Sequence, residues 1–148
     1  YAYIGIAFGD LASGLVSQLL KSRKKALLIF LLMTVFFTIL YYFLAFKSLF
    51  AFYTLAVCVG FSTGYWAVFM TSAAELYGTN IRATVTTTAP NFVRGAVVLL
   101  NSGFVFFNGV TGNNISSSII LGVITFTLAF LALWRIEETF GKDLDYTE

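Results

Sequence analysis

Five runs of about 20 mostly apolar residues, separated by short polar breaks, constrain this chain more than anything else in it. A helix needs roughly 20 such residues to cross the hydrocarbon core of a bilayer. The runs cover 1–20, 26–46, 49–74, a stretch within 83–110, and 115–134, and a polar tail follows at 135–148. Backbone at membrane depth must satisfy its own hydrogen bonds, so runs of this length predict helices. A β-barrel needs alternation over short segments, and Phe30-Leu31-Leu32-Met33 followed by Val35-Phe36-Phe37 has none. The expected class is an all-α integral membrane protein with about five transmembrane helices.

The polar residues support this. Only 11% of the 148 residues are charged, against about a quarter in soluble domains. That is too little polar surface to cover a water-soluble globule. Histidine is absent and Cys58 is the single cysteine. Metal ligation by His/Cys clusters and Ser-His-Asp catalysis are therefore not predicted, and neither an enzyme nor a cofactor or metal protein is expected. No Gly-rich phosphate loop occurs, and the basic cluster at 21–25 is too short and membrane-proximal for a nucleic-acid surface.

Charge placement predicts orientation. Eight of the nine basic residues (Lys21, Arg23, Lys24, Lys25, Arg82, Arg94, Arg135, Lys142) group on one side, and Lys47 lies opposite. The positive-inside rule assigns the basic loops and the C-terminus to the cytoplasm of a multi-pass protein of the cell (inner) membrane. Residue 1 then starts outside, so an upstream span is expected and the start reads as an internal cut. The basic run is a topology determinant and a contact for anionic lipid.

Small residues divide the spans. Gly5, Gly9, Ser13 and Ser17 recur every fourth position in the first, Ala56, Gly60 and Gly64 mark the third, and Gly95, Ser102 and Gly103 the fourth. Such stripes let helix backbones approach closely in lipid. Spans 1, 3 and 4 are predicted to be interior, and spans 2 and 5, rich in Leu and Phe, to face lipid.

Three segments resemble the major facilitator superfamily (MFS) of secondary transporters, in the C-terminal half of that fold. Gly14-Leu15-Val16-Ser17-Gln18-Leu19-Leu20-Lys21-Ser22-Arg23-Lys24 is similar to the family's Gly-x-x-x-Asp-x-x-Gly-Arg-Lys loop, with Gln18 in place of the acid and Lys21 in place of the second Gly. Glu75 to Arg82, continuing into Ala83, resembles its Glu-x-x-x-Thr-x-x-Arg-Ala segment, with Gly78 where Pro is usual. Glu138-Thr139-Phe140-Gly141-Lys142-Asp143-Leu144-Asp145 resembles the Pro-Glu-Thr-Lys-Gly-x-x-Leu tail of sugar-porter members, with Glu137 where Pro is usual. The resemblance implies that the five spans are helices 8–12 of a twelve-helix transporter, part of its six-helix C-terminal bundle. The missing N-terminal half of the same polypeptide would then be a partner.

The resemblance also implies a function. The expectation is alternating-access transport of a small organic solute, an organic anion or sugar acid, coupled to a proton. The alternatives are multidrug-type efflux and a non-transporting sensor or scaffold on the same fold. Asp10 lies 11 positions before Lys21, about 16 Å along a helix, where a carboxylate needs a cavity or a partner. Arg94 admits two placements. If span 4 starts after Arg82, Arg94 lies about 18 Å deep and can hold an anionic substrate or pair with Asp10. If Pro90 marks the start of the span, Arg94 is an anchor in its first turn. Family cavity positions add Tyr65, Trp66 and Asn91, for which helix packing is the competing reading. At the basic side Arg23, Lys24, Glu75 and Arg82 form either a latch that stabilises one access state or an ordinary interfacial salt bridge.

Overall fold

A computed structural model of the chain describes residues 1–142, and Asp143, Leu144 and Asp145 of the tail segment lie outside the described residues. The order is α1 (Ala2–Leu19), α2 (Arg23–Leu44) tightening into a 3₁₀ turn at Ala45–Lys47, α3 (Leu49–Thr63), α4 (Trp66–Glu75), α5 (Thr79–Thr111) and α6 (Asn114–Arg135), with no strand among the described residues. Five segments are long and apolar enough to cross a membrane, α3 and α4 together forming one of them. The chain is thus all-helical with five candidate spans.

Local chemistry sets the ends of the helices. Ser22, Ser48 and Asn113 accept from the backbone N–H of Lys25, Ala51 and Ile115 at 3.1, 3.1 and 2.9 Å, each capping a helix N-terminus. The α1–α2 turn is a Schellman motif. Ser22 N–H donates to Ser17 C=O and Lys21 N–H to Gln18 C=O, and Lys21 takes the left-handed conformation at φ +48°.

α1 meets α3 along the predicted stripe, and its buried residues are Gly5, Gly9, Ser13 and Ser17. A Cβ on Gly64 would lie 2.6 Å from Gly9 Cα, so only glycine permits this crossing. The apolar core is Ala26, Leu27, Leu31, Val68 and Leu133, where α2, α4 and α6 converge at the basic end.

Three expectations need correction. The third span is not continuous over 49–74. It breaks at Gly64, whose φ −76° and ψ +63° with a 2.9 Å bond from Tyr65 N–H to Thr63 C=O form an inverse γ-turn. Span 2 is not simply lipid-facing: Ala26, Leu27, Phe30, Leu31 and Thr34 are buried, because bulky side chains fill an interface as well as small ones approach it. Span 4 is not interior within this chain. α5 has no buried residue, and a Cβ on Gly95 would meet nothing within 4 Å.

Candidate functional site

At the basic end the α1–α2 loop, the end of α4 and the tail are tied together. Arg23 opens α2, and Glu75 closes α4. The guanidinium grips the carboxylate in bidentate fashion, Nη2 to Oε1 at 2.9 Å and Nε to Oε2 at 3.2 Å. Both side chains are largely sequestered, at 14% and 12% exposure, so this pair is not a solvent-screened surface bridge. Arg23 Nη1 also donates to Ser17 Oγ of α1 at 2.8 Å, and Thr139 Oγ1 of the tail donates to Glu75 Oε2 at 2.7 Å. The Phe140 ring lies 5.1 Å from the guanidinium carbon, within cation–π range.

The tail and α2 cap one another. Three cations in the first turn of α2 oppose its helix dipole. Glu138 offsets them, accepting from the Arg23 and Lys24 N–H groups at 2.8 and 3.3 Å and from the Ser22 hydroxyl. In return Lys24 Nζ donates to Trp134 C=O and Ile136 C=O, both at 2.9 Å, at the negative end of α6. Partial burial works to raise the Glu138 carboxyl, but the hydrogen bonds from Ser22 and from the Phe140, Arg23 and Lys24 amides hold it below its ordinary value.

Among the four residues expected to form a latch, Arg23 and Glu75 are thus brought together. Lys24 is committed to the end of α6. Arg82 donates to Ala74 C=O at 3.0 Å and to Tyr77 C=O, closing the α4–α5 turn. Ser17, Ser22, Glu138 and Thr139 complete the arrangement, although the sequence assigned them no role in it. Their signal was faint: the tail segment was visible only as a resemblance, and serines in a small-residue stripe look like packing.

The second cluster lies at the helix break. Asp10 is near the middle of α1, and its Oδ1 accepts from Ala67 N–H at 3.2 Å. Tyr65 is the N-cap residue of α4 and Trp66 its first residue. Asp10, Tyr65 and Trp66 are therefore gathered at one place.

Arg94 and Asn91 are elsewhere. α5 runs unbroken through Pro90 from Thr79 to Thr111, so Pro90 is not a helix start, and Arg94 lies near the centre of the helix. α5 packs on α4 and α6, and Asp10 forms no ion pair with Arg94. Both Arg94 and Asn91 are exposed on α5. Asn91 lines a shallow groove with Thr88, Phe92 and Leu99.

No protein-family model matches the chain, and no curated protein or solved structure shows significant similarity to it.

Proposed function

We propose that this chain is part of a secondary transporter of the MFS type, with its basic end in the cytoplasm, moving a small organic anion or sugar acid by alternating access with proton coupling. The observation that carries this reading is the shielded clasp of Arg23, Glu75 and Thr139, which ties three separate segments at one end of the bundle. A static fold gains little from a charge pair kept out of water, because desolvation offsets most of the attraction. A contact that must form in one access state and break in another needs strength with reversibility, which a bidentate pair supplies.

Seven of the nine basic residues lie at the clasp end, with Lys47 opposite and Arg94 in mid-helix, and this asymmetry supports the cytoplasmic assignment. In this account Asp10 carries the proton and Arg94 attracts the anionic solute from the exposed face of α5. A broken helix at mid-span supports the reading further, because discontinuous helices line the solute sites of many secondary transporters.

The test is uptake of weak organic acids and sugar acids into proteoliposomes holding the full-length protein, with an inward proton gradient. Asp10→Asn and Arg94→Ala are expected to abolish uptake while leaving expression intact. Normal flux in both variants defeats the assignment. A purified protein that moves no solute yet binds a protein partner through its tail is the sensor or scaffold.

A further inference from the structure

The break in the third span separates several groups of the helical ladder from their usual partners, and two of them, Ala67 N–H and Ser62 C=O, are taken up by neighbouring helices. In an unbroken α-helix Ala67 N–H would donate to Thr63 C=O, and Trp66 N–H to Ser62 C=O. Here Ala67 N–H goes to Asp10 of α1 at 3.2 Å. Ser62 C=O accepts from the Thr34 hydroxyl of α2 at 2.9 Å. Thr63 C=O is turned to Tyr65 N–H by the inverse γ-turn. The break is held open from both sides.

The two supports differ in kind. The hydroxyl of Thr34 does not titrate, whereas the carboxylate of Asp10 does, and an ionised carboxylate at a helix N-terminus is favoured by the dipole as well as by its hydrogen bond. The geometry points to Asp10 as a proton-operated cap: ionised, it holds α4 apart from α3 at Gly64; protonated, it releases Ala67 N–H to Thr63 C=O and the span straightens. No bond besides the O–H of the carboxyl forms or breaks, and the proton comes from the aqueous side of the membrane.

Other titratable groups facing the break are few. α3 has no charged residue, only Tyr53 and Cys58. α4 carries Tyr65 at its cap and Glu75 at its far end. α2 brings Arg23, Lys24 and Lys25 at the basic end and Tyr41 and Tyr42 at the other, and α1 adds only Tyr1 and Tyr3. Among the described residues Asp10 is thus the carboxylate at the break.

The consequence reaches the clasp. α4 is ten residues long, about 15 Å of rigid helix, with Asp10 gripping its first turn and Arg23 its last residue. A change of tilt at the break must move Glu75 relative to Arg23, so protonation inside the span and release of the clasp become one linked event. This inference builds on the reading of Asp10 as the proton carrier and adds the element that the proton moves.

The test measures the bend and needs no solute, so it succeeds or fails independently of transport. Spin labels at Thr54→Cys and Tyr77→Cys, in a Cys58→Ser background of the full-length protein in nanodiscs, report the distance across the break by pulsed dipolar spectroscopy. In the native background a shorter, bent population at high pH is expected to give way to a longer one as pH falls. Asp10→Asn is expected to show the longer population at every pH, and Asp10→Glu to keep a pH-dependent switch. A native distance that does not change with pH overturns the proposal without any variant having to fold. An unaltered switch in Asp10→Asn overturns it too.

Discussion

Lys21 adopts φ +48° in the turn between α1 and α2, a conformation that costs a residue with a Cβ roughly 1–2 kcal/mol and glycine little. The turn keeps the Schellman geometry with lysine at its left-handed position. Lys21→Gly is therefore expected to stabilise the fold by up to about 1 kcal/mol, part of the relief being offset by the greater chain entropy of glycine. A rise in the thermal midpoint in detergent checks this, and an unchanged or lowered midpoint speaks against strain at Lys21. The residue scale is also where sequence reading was weakest. Asp10 was legible as a mid-span charge because carboxylates are rare at that depth, but its partner is a backbone amide, and nothing in a string of side chains marks an amide freed by a break. The pairing of Arg23 with Glu75 was legible as complementary charges on segments expected at one end. Thr139 was not, since a hydroxyl in a tail carries no such signal.

Between elements, α2 and the tail exchange caps, Glu138 onto the start of α2 and Lys24 onto the end of α6. Glu138 is held below its ordinary value of 4.5. A group with a depressed folded-state pKa contributes stability above its unfolded value and loses it as pH falls through the folded one. The tail should therefore stay docked at neutral pH and loosen only below 4.5. Limited proteolysis at acid pH, with cleavage between α6 and Lys142 appearing in that window, checks it, and Glu138→Gln should remove the pH dependence. Cleavage at the same rate from neutral pH downward would show that Glu138 does not hold the tail. The helices themselves were readable because each apolar run is long enough to span and because the α1 stripe of Gly5, Gly9, Ser13 and Ser17 is the buried face. The break at Gly64 was not readable: the residue has an ordinary negative φ, and its glycine answers to the nearby backbone of Gly9 on another helix. The stripe on α5 is not buried among the described residues, since small residues permit a close approach without specifying which helix makes it.

Across the whole molecule, α4 connects Asp10 at the helix break to the clasp at the basic end. The proposed transport cycle turns on that clasp shutting the basic end of the bundle and opening again. Ser72 lies beneath it on α4, 6% exposed, with its hydroxyl bonded to Val68 C=O of the same helix, so Ser72→Cys places a thiol there with little disturbance. The most direct measurement is the rate at which a membrane-impermeant maleimide labels that thiol in a Cys58→Ser background, with and without Glu75→Gln. Weakening the clasp by about 1.4 kcal/mol corresponds to a tenfold shift in the open population. A rise in labelling of about that size is the predicted result; equal labelling rates with and without Glu75→Gln would contradict the clasp as the element that closes this end.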